Sequence, residues 1–412
     1  RRFSDASARR PLAVSVGATV GKKGMETMAT DPVRGMKIEE FETGFSTNLG
    51  VTLRELAHLE PSLDAPYLSV YLDWRPDGQN PGVRTAKAVF EHEASKLRKR
   101  YENNNQARDS FDADIERIHD FLNNDLSPSV HGVIIIANNS KDVFEHVVLA
   151  IPAPTKGQAG PTPALLEMAR IVEDYPRYAV LLADQHEATL SLINRAARGQ
   201  AVSIASNDYP RKHKQGGWSQ RRFQARADER VSAFARFVAD ETRRALDEHD
   251  VGMLVVAGGE VITSALEPEF HQTVTNRIIA TIPMDIRSSE HELIEATMPL
   301  IVKAERDRER SAVDRLSDAI GQGELGVKGP EEVLRVLQEG RADLTLMTRE
   351  FDSAGWADYV MNVFGVGEVP AVHPAGGDVA DIVPVNLPEE LVRLTIVTGA
   401  EGEIIPEDNA GD

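Results

Sequence analysis

The stretch RKHKQGGWSQRRFQAR, from Arg211 to Arg226, holds six Lys or Arg side chains, one His and no carboxylate. The full chain of 412 residues carries 65 Asp and Glu against 46 Lys and Arg, a formal net charge of −19. A basic segment inside so acidic a chain marks one local anion site. Gly216-Gly217 lets the backbone take torsions closed to other residues and approach a ligand closely. Their N–H groups could donate to a developing oxyanion. Gln220 has an amide that both donates and accepts, so it could place a water. Trp218 offers a flat face for stacking a base, and Ser219 shapes the turn between them. Lys212, Lys214, Arg221, Arg222 and Arg226 suit phosphate oxygens. His213 is the one side chain of the stretch that titrates near neutrality. The chemistry this set could do is attack by a positioned water near an RNA end, with phosphates held by cations and no metal or cofactor. The plainer alternative is a mobile surface loop ahead of a helix, whose N-terminus favours any anion.

The surrounding elements decide how such a loop would be held. Behind it, Phe223, Ala227, Val231, Phe234 and Val238 step by four, four, three and four, one apolar helical face from about Arg221 to Glu248. Ahead of it, RYAVLLADQHEATLSLIN reads as two strands turning near Asp184 to Glu187, with QAVSIAS as a third. VGMLVVAG is the next strand. Its Gly258-Gly259 could be a phosphate turn, but a tight strand-to-helix connection accounts for it better. A helix then opens at Ser289 with Glu292 three residues on, a capping box. It continues through the mixed-charge run KAERDRERSAVDR, expected to be solvated and laced by i,i+4 pairs.

Two further units flank this one. Upstream, TLRELAHLEPS (a helix), YLSVYLDW (a strand), helices over 84–99 and 109–122, and the strands HGVIIIAN and VFEHVVLAI make an α/β unit. Downstream, Pro330 starts a helix that Gly340 stops, ADLTLMT is a strand, and GDVADIVPVNL with VRLTIVTG completes a small α/β unit. The expected organisation is an extension over 1–45, an N-terminal α/β domain over 46–155, a Pro/Gly-rich linker over 156–170, a central domain over 171–305 and a C-terminal α/β domain over 306–405. The tail EGEIIPEDNAGD is expected to fray. The Arg- and Ser-rich opening is faintly like a transit peptide and reads better as disordered or upstream-read sequence ahead of Met25, Met28 or Met36.

Composition narrows the classes. The longest apolar runs are strand-length, far below the ~20 residues of a membrane-spanning helix. The absence of Cys fits a reducing, cytoplasmic setting. The acidic balance argues against diffuse coating of nucleic acid, and no DNA partner is expected. A metal hydrolase is poorly supported: His213 lies near Asp208, and His291 lies near Glu292 and Glu295, but neither set makes a two-His helical pair. His291 reads as a surface residue.

KHKQGGWSQRRFQARADER resembles the Gly-Gly-Gln loop and following helix of the archaeal and eukaryotic class-one peptide-chain release factors. Lys212, His213, Gly216, Gly217, Ser219, Arg222, Phe223 and Glu229-Arg230 fall in that pattern. Trp218 departs from it, standing in the slot of the catalytic Gln, with Gln220 two residues later. This Gly-Gly-X-Ser-Gln form is similar to the bacterial branch related to the Vms/ANKZF peptidyl-tRNA hydrolases. The C-terminal PEEVLRVLQEGRADLTLMTREF resembles the kink-turn-binding-protein-like third domain of release factors and Pelota. The likeness runs from about 65 to 400, though only the loop is specific.

That resemblance implies a three-domain α/β protein with a central mixed-sheet, release-factor-type domain. It implies cleavage of peptidyl-tRNA at the peptidyl-transferase centre of the large ribosomal subunit, with a translational GTPase as a further candidate partner. Gly216, Gly217 and Gln220 would be catalytic. Lys212, His213, Lys214, Trp218, Ser219, Arg221, Arg222 and Arg226 would hold RNA. Whether the ester or a phosphodiester of the tRNA acceptor end breaks is left open. So is a non-catalytic, Pelota-like role in ribosome hibernation or rescue, in which Trp218 would be a stacking anchor. Motifs for reading stop codons are not visible in the N-terminal unit, which favours rescue over ordinary termination.

Overall fold

The computed structural model describes residues 29–30, 36–42, 49–77, 84–124, 126, 130–194, 197–206, 220–323 and 325–406. Two short segments lead the chain, β1 (Ala29–Thr30) and β2 (Met36–Glu42). Both lie inside the stretch expected to be an extension. Instead they pair antiparallel, and β2 adds to a strand some 160 residues later, Met36 opposite Ser206 and Glu42 opposite Gln200. The pairing is non-local, which is why composition missed it.

The first α/β unit is an antiparallel sheet in the order β5-β4-β3-β6, from β3 (Tyr67–Asp73), β4 (Gly132–Asn138), β5 (Val143–Leu149) and β6 (Lys156–Gly160). Its central strands are buried almost throughout because both faces are covered. Leu68, Val70, Val133 and Ile135 face α2 (Thr85–Arg98) and α3 (Asn105–Asn124) through Phe90, Phe111 and Ile118. Tyr67, Tyr71, Ile134 and Ile136 face α1 (Leu49–Ala57) and α4 (Leu166–Asp174). The expected linker over 156–170 is therefore a strand and the start of a helix. Lys156-Gly-Gln-Ala-Gly160 has little strand signal of its own and is held by pairing with β3, Tyr71 opposite Lys156.

The central sheet has seven strands in the order β1-β2-β9-β8-β7-β10-β11. It contains β7 (Tyr178–Ala183), β8 (Glu187–Asn194), β9 (Ala197–Ser206), β10 (Leu254–Gly258) and β11 (Ile278–Ile282). β7 and β8 turn tightly because Asp184 Oδ1 accepts from the N–H groups of His186 and Glu187, at 2.7 and 2.8 Å. β7, β10 and β11 run parallel, and the other pairs are antiparallel. α5 (Gln220–Glu248) covers one face, its Val231, Phe234 and Val238 packing on Leu181, Leu190 and Val256. The connection onward passes α6 (Glu260–Leu266) and α7 (Gln272–Thr275). α8 (Glu290–Gly321) covers the opposite face, with Leu293 and Ile301 against Tyr178, Val180 and Val255. Its capping box is present: Glu292 N–H donates to Ser289 Oγ (3.3 Å), and Glu292 Oε2 accepts from Ser289 N–H (2.8 Å).

The last unit begins with α9 (Pro330–Gln338), whose Leu334 and Leu337 lie in its core. A parallel pair joins β12 (Leu344–Thr348) to β16 (Glu401–Ile405), and a separate antiparallel sheet has the order β14-β13-β15. Those three strands are β13 (Ala354–Asp358), β14 (Val363–Val366) and β15 (Val383–Asn386), with α10 (Leu387–Thr398) against both sheets. The expected frayed tail thus supplies β16, with Ile404 and Ile405 buried. Among the described residues no helix is long and apolar enough to cross a membrane.

Candidate functional site at the opening of the long helix

The basic segment joins β9 to α5. β9 is antiparallel to β8, and β8 to β7, so β7, β9 and β10 point the same way and end at one edge of the central sheet. α5 packs back across the face from Val231 on, with its N-terminus towards that end of the sheet. This is the end where open α/β sheets place their ligand sites. β9 ends beside the Asp184 turn, with Ala205, its next-to-last residue, opposite Glu187.

Gln220 is the first residue of α5. Lys212, His213, Lys214, Gly216, Gly217, Trp218 and Ser219 lie outside the described residues, as does Asp208. Arg221, Arg222 and Arg226 stand in the first two turns of α5, and the side chains of this helix are described from position 229 on. At about 100° per residue, position 222 falls opposite the Val231–Val238 stripe, positions 221 and 226 fall on its two flanks, and position 220 falls on its meridian.

The remaining candidates resolve differently. Gly258 ends β10 so close to β7 that a Cβ there would lie 2.3 Å from the Ala183 carbonyl oxygen. Gly259 then precedes α6 with no side-chain cap. That is a tight strand-to-helix connection. His291 is exposed on α8, and among the described residues no group of three or more His, Asp or Glu is placed to hold a metal ion. What the sequence reading missed is the strand β2 between β1 and β9. Its MKIEEFE has Glu39 and Glu40 side by side, which breaks the two-residue alternation that announces a half-buried strand.

Residues 163–301 match the family described as bacterial archaeo-eukaryotic release factor family 10. Peptide chain release factor subunit 1 of Methanocaldococcus jannaschii is 28% identical over 200 residues, covering 45% of this chain and 46% of that protein. Its counterpart in Methanopyrus kandleri is 26% identical over 187 residues, covering 44% and 45%. The chain thus spans about half the length of these curated relatives. Among solved structures, an archaeal translation termination factor aligns over 87% of this chain and 91% of its own, with 16% identity and a TM-score of 0.26.

Proposed function

We propose that this chain, whose residues 163–301 match a bacterial archaeo-eukaryotic release factor family, is a member of the release-factor superfamily and frees nascent chains from peptidyl-tRNA on stalled ribosomes. The observation that carries the reading is the order Gly216-Gly217-Trp218-Ser219-Gln220 opening a 29-residue helix inside the matched segment 163–301. In this proposal the loop enters the peptidyl-transferase centre of the large subunit. The Gly216 and Gly217 amides stabilise the oxyanion that forms as water attacks the ester carbonyl, and Gln220 orients that water. The ester C–O bond then breaks, leaving a peptide acid and a free tRNA 3′-hydroxyl. Lys212, His213, Lys214, Arg221, Arg222 and Arg226 neutralise acceptor-end phosphates, Trp218 stacks on a base, and Ser219 fixes the turn. The protein acts in the cytoplasm, with a translational GTPase as delivering partner. The Gly-Gly-X-Ser-Gln spelling also keeps a kinship to Vms/ANKZF-type hydrolases, and with it cleavage within the acceptor end, part of the proposal.

A second reading is favoured by one residue. Trp218 occupies the usual Gln slot, and a loop with an aromatic anchor there could hold an idle ribosome without cutting. Single-turnover release from labelled peptidyl-tRNA on 50S and 70S particles separates the two. The wild type should release peptide, while Gln220→Ala should bind equally but release about a hundredfold more slowly. A gel resolving intact tRNA from tRNA lacking its 3′ end reports the bond. Tight binding with no cleavage by either protein makes it an occupancy factor.

A further inference from the structure

The charged run over 303–315 of α8 reads as a solvated surface, and Asp307 and Arg310 do meet across one turn at 4.0 Å. Two of its residues are engaged elsewhere. Arg308 Nε lies 3.0 Å from Glu403 Oε1 on β16. Glu403 is only 4% exposed, and its other oxygen is buried with no hydrogen-bond partner. Glu305 of α8 and Glu173 of α4 interact with the same guanidinium, with Glu309 and Glu401 close by. Burial pushes the Glu173 carboxyl up to about 8, with Glu305 and Glu403 adding to the effect and Arg308 opposing it. Burial raises Glu305 as well. One cation therefore faces three half-dry carboxylates, an excess of charge that protons relieve.

The other charges around Glu173 are already committed. Arg170 of α4 is bonded to Glu167 at 2.9 Å and to the Arg349 carbonyl. Arg349, after β12, is paired with Asp174 and lies beside Glu350. α1, α10 and β12 bring uncharged side chains, Leu53, Val392, Ile396, Thr345 and Met347 among them, to a pocket of about 120 Å³ that Glu173 and Glu403 also line.

The location gives the cluster its consequence. The first half of α8 is bound to the central sheet through Leu293 and Ile301. One turn later, Glu305 and Arg308 meet α4 of the first unit and β16 of the last. A second polar link from the central sheet to α1, Arg54 to Asp250 at 2.5 Å, is more than half exposed on both sides and weak for that reason.

We infer that this carboxylate cluster is a proton-operated seam: protonated at Glu173 it holds α8 against α4 and β16, and ionised it frees the loop-bearing sheet to change its angle. The closed form keeps a proton that a solvated Glu173 would give up. Closure is therefore fully favoured below the ordinary carboxylate range and is lost as pH rises through about 8. The closed-to-open ratio falls by up to about tenfold per pH unit across that window. The seam would set how far the basic loop projects from the rest of the molecule, and it stands apart from whatever chemistry the loop performs.

The chain has no cysteine, which makes a distance measurement direct. Val261→Cys on α6 and Val360→Cys after β13 replace side chains that are 58% and 70% exposed, placing one spin label on each side of the seam. Double electron–electron resonance between about pH 6 and about pH 9 should show one narrow distance at the acid end and a second or broadened one at the alkaline end. Glu173→Gln keeps the shape but cannot ionise, so it should hold the acid-end distribution throughout. If that variant does not fold, as judged by circular dichroism, Glu305→Gln is read in the same way. A distance unchanged by pH in the parent, or a Gln variant that follows pH as the parent does, overturns the inference.

Discussion

Arg221 and Arg222 open α5 beside Gln220, so their removal tests holding separately from cutting. Arg221→Ala with Arg222→Ala should weaken ribosome binding and flatten its dependence on log salt by about one unit per lost phosphate contact. Filter binding across a salt series reads this slope. A loss equal at all salt concentrations would mean the pair supports the loop and does not touch phosphate. A different residue tests the body of the protein. Asp114 is fully buried in α3, and neither of its oxygens has a hydrogen-bond partner of good geometry. Burial pushes its carboxyl up to about 7, only partly countered by the Asn139 amide and Arg117. A raised carboxyl means the folded state keeps a proton that the unfolded chain loses. The site's contribution is thus full below the unfolded value and gone once pH has risen through about 7. Asp114→Asn should stabilise by on the order of 1–2 kcal/mol at about pH 8, with the gain vanishing towards about pH 4. Thermal melts at both ends check the sign. The two cases also mark what a sequence discloses at this scale. The loop is legible because glycines, amide and cations adjoin one another. Asp114 and Glu403 look like ordinary surface acids until the elements facing them are known.

Among the elements, those legible in the sequence carry their own signal: the unbroken apolar run of β4, the helical stripe of α5, the Ser289–Glu292 box of α8. β2, β6 and β16 do not. β2 is covered beyond β9 only by the two-residue β1, β6 is an edge strand and β16 is one of a pair; all are low in β-branched residues or rich in Glu and Gly, and their conformation is dictated by the neighbour whose backbone they complete. The β10-to-α6 connection shows the reverse, a local feature whose cause is tertiary. Gly258→Ala would force a Cβ to within 2.3 Å of the Ala183 carbonyl oxygen. Backbone cannot yield as a flexible side chain does, so β7 and β10 must separate. A destabilisation of about 2–3 kcal/mol is expected, read as a lower denaturation midpoint. Ribosome binding by the folded fraction should stay unchanged, because the glycine serves packing. A binding defect without a stability change would instead reinstate a phosphate-turn role.

At the scale of the whole molecule, the units at the two ends of the chain are less separate than their sequences suggest. Ala169 of α4 and Val392 of α10 each pack in both the first unit's core and the last unit's. Leu166, at the start of α4, is 5% exposed and buried in the last unit's core, and its N–H donates to Glu389 Oε2 at 2.7 Å. Periodicity could announce an α/β unit at each end of the chain, but not that one helix would serve both, since that depends on contacts more than two hundred residues apart. The consequence is thermodynamic. The end units should melt together, and the central sheet, tied on through α8 and a few surface contacts, should melt by itself. Leu166→Ala, which lies in α4 but empties space in the distant core, should cost about 2–5 kcal/mol. In calorimetry it should lower the joint transition and leave that of the central sheet in place. If only the last unit's unfolding moves, with the first unit untouched, the two cores are independent. In that case the seam at Glu173 would have to hold three bodies together, not two.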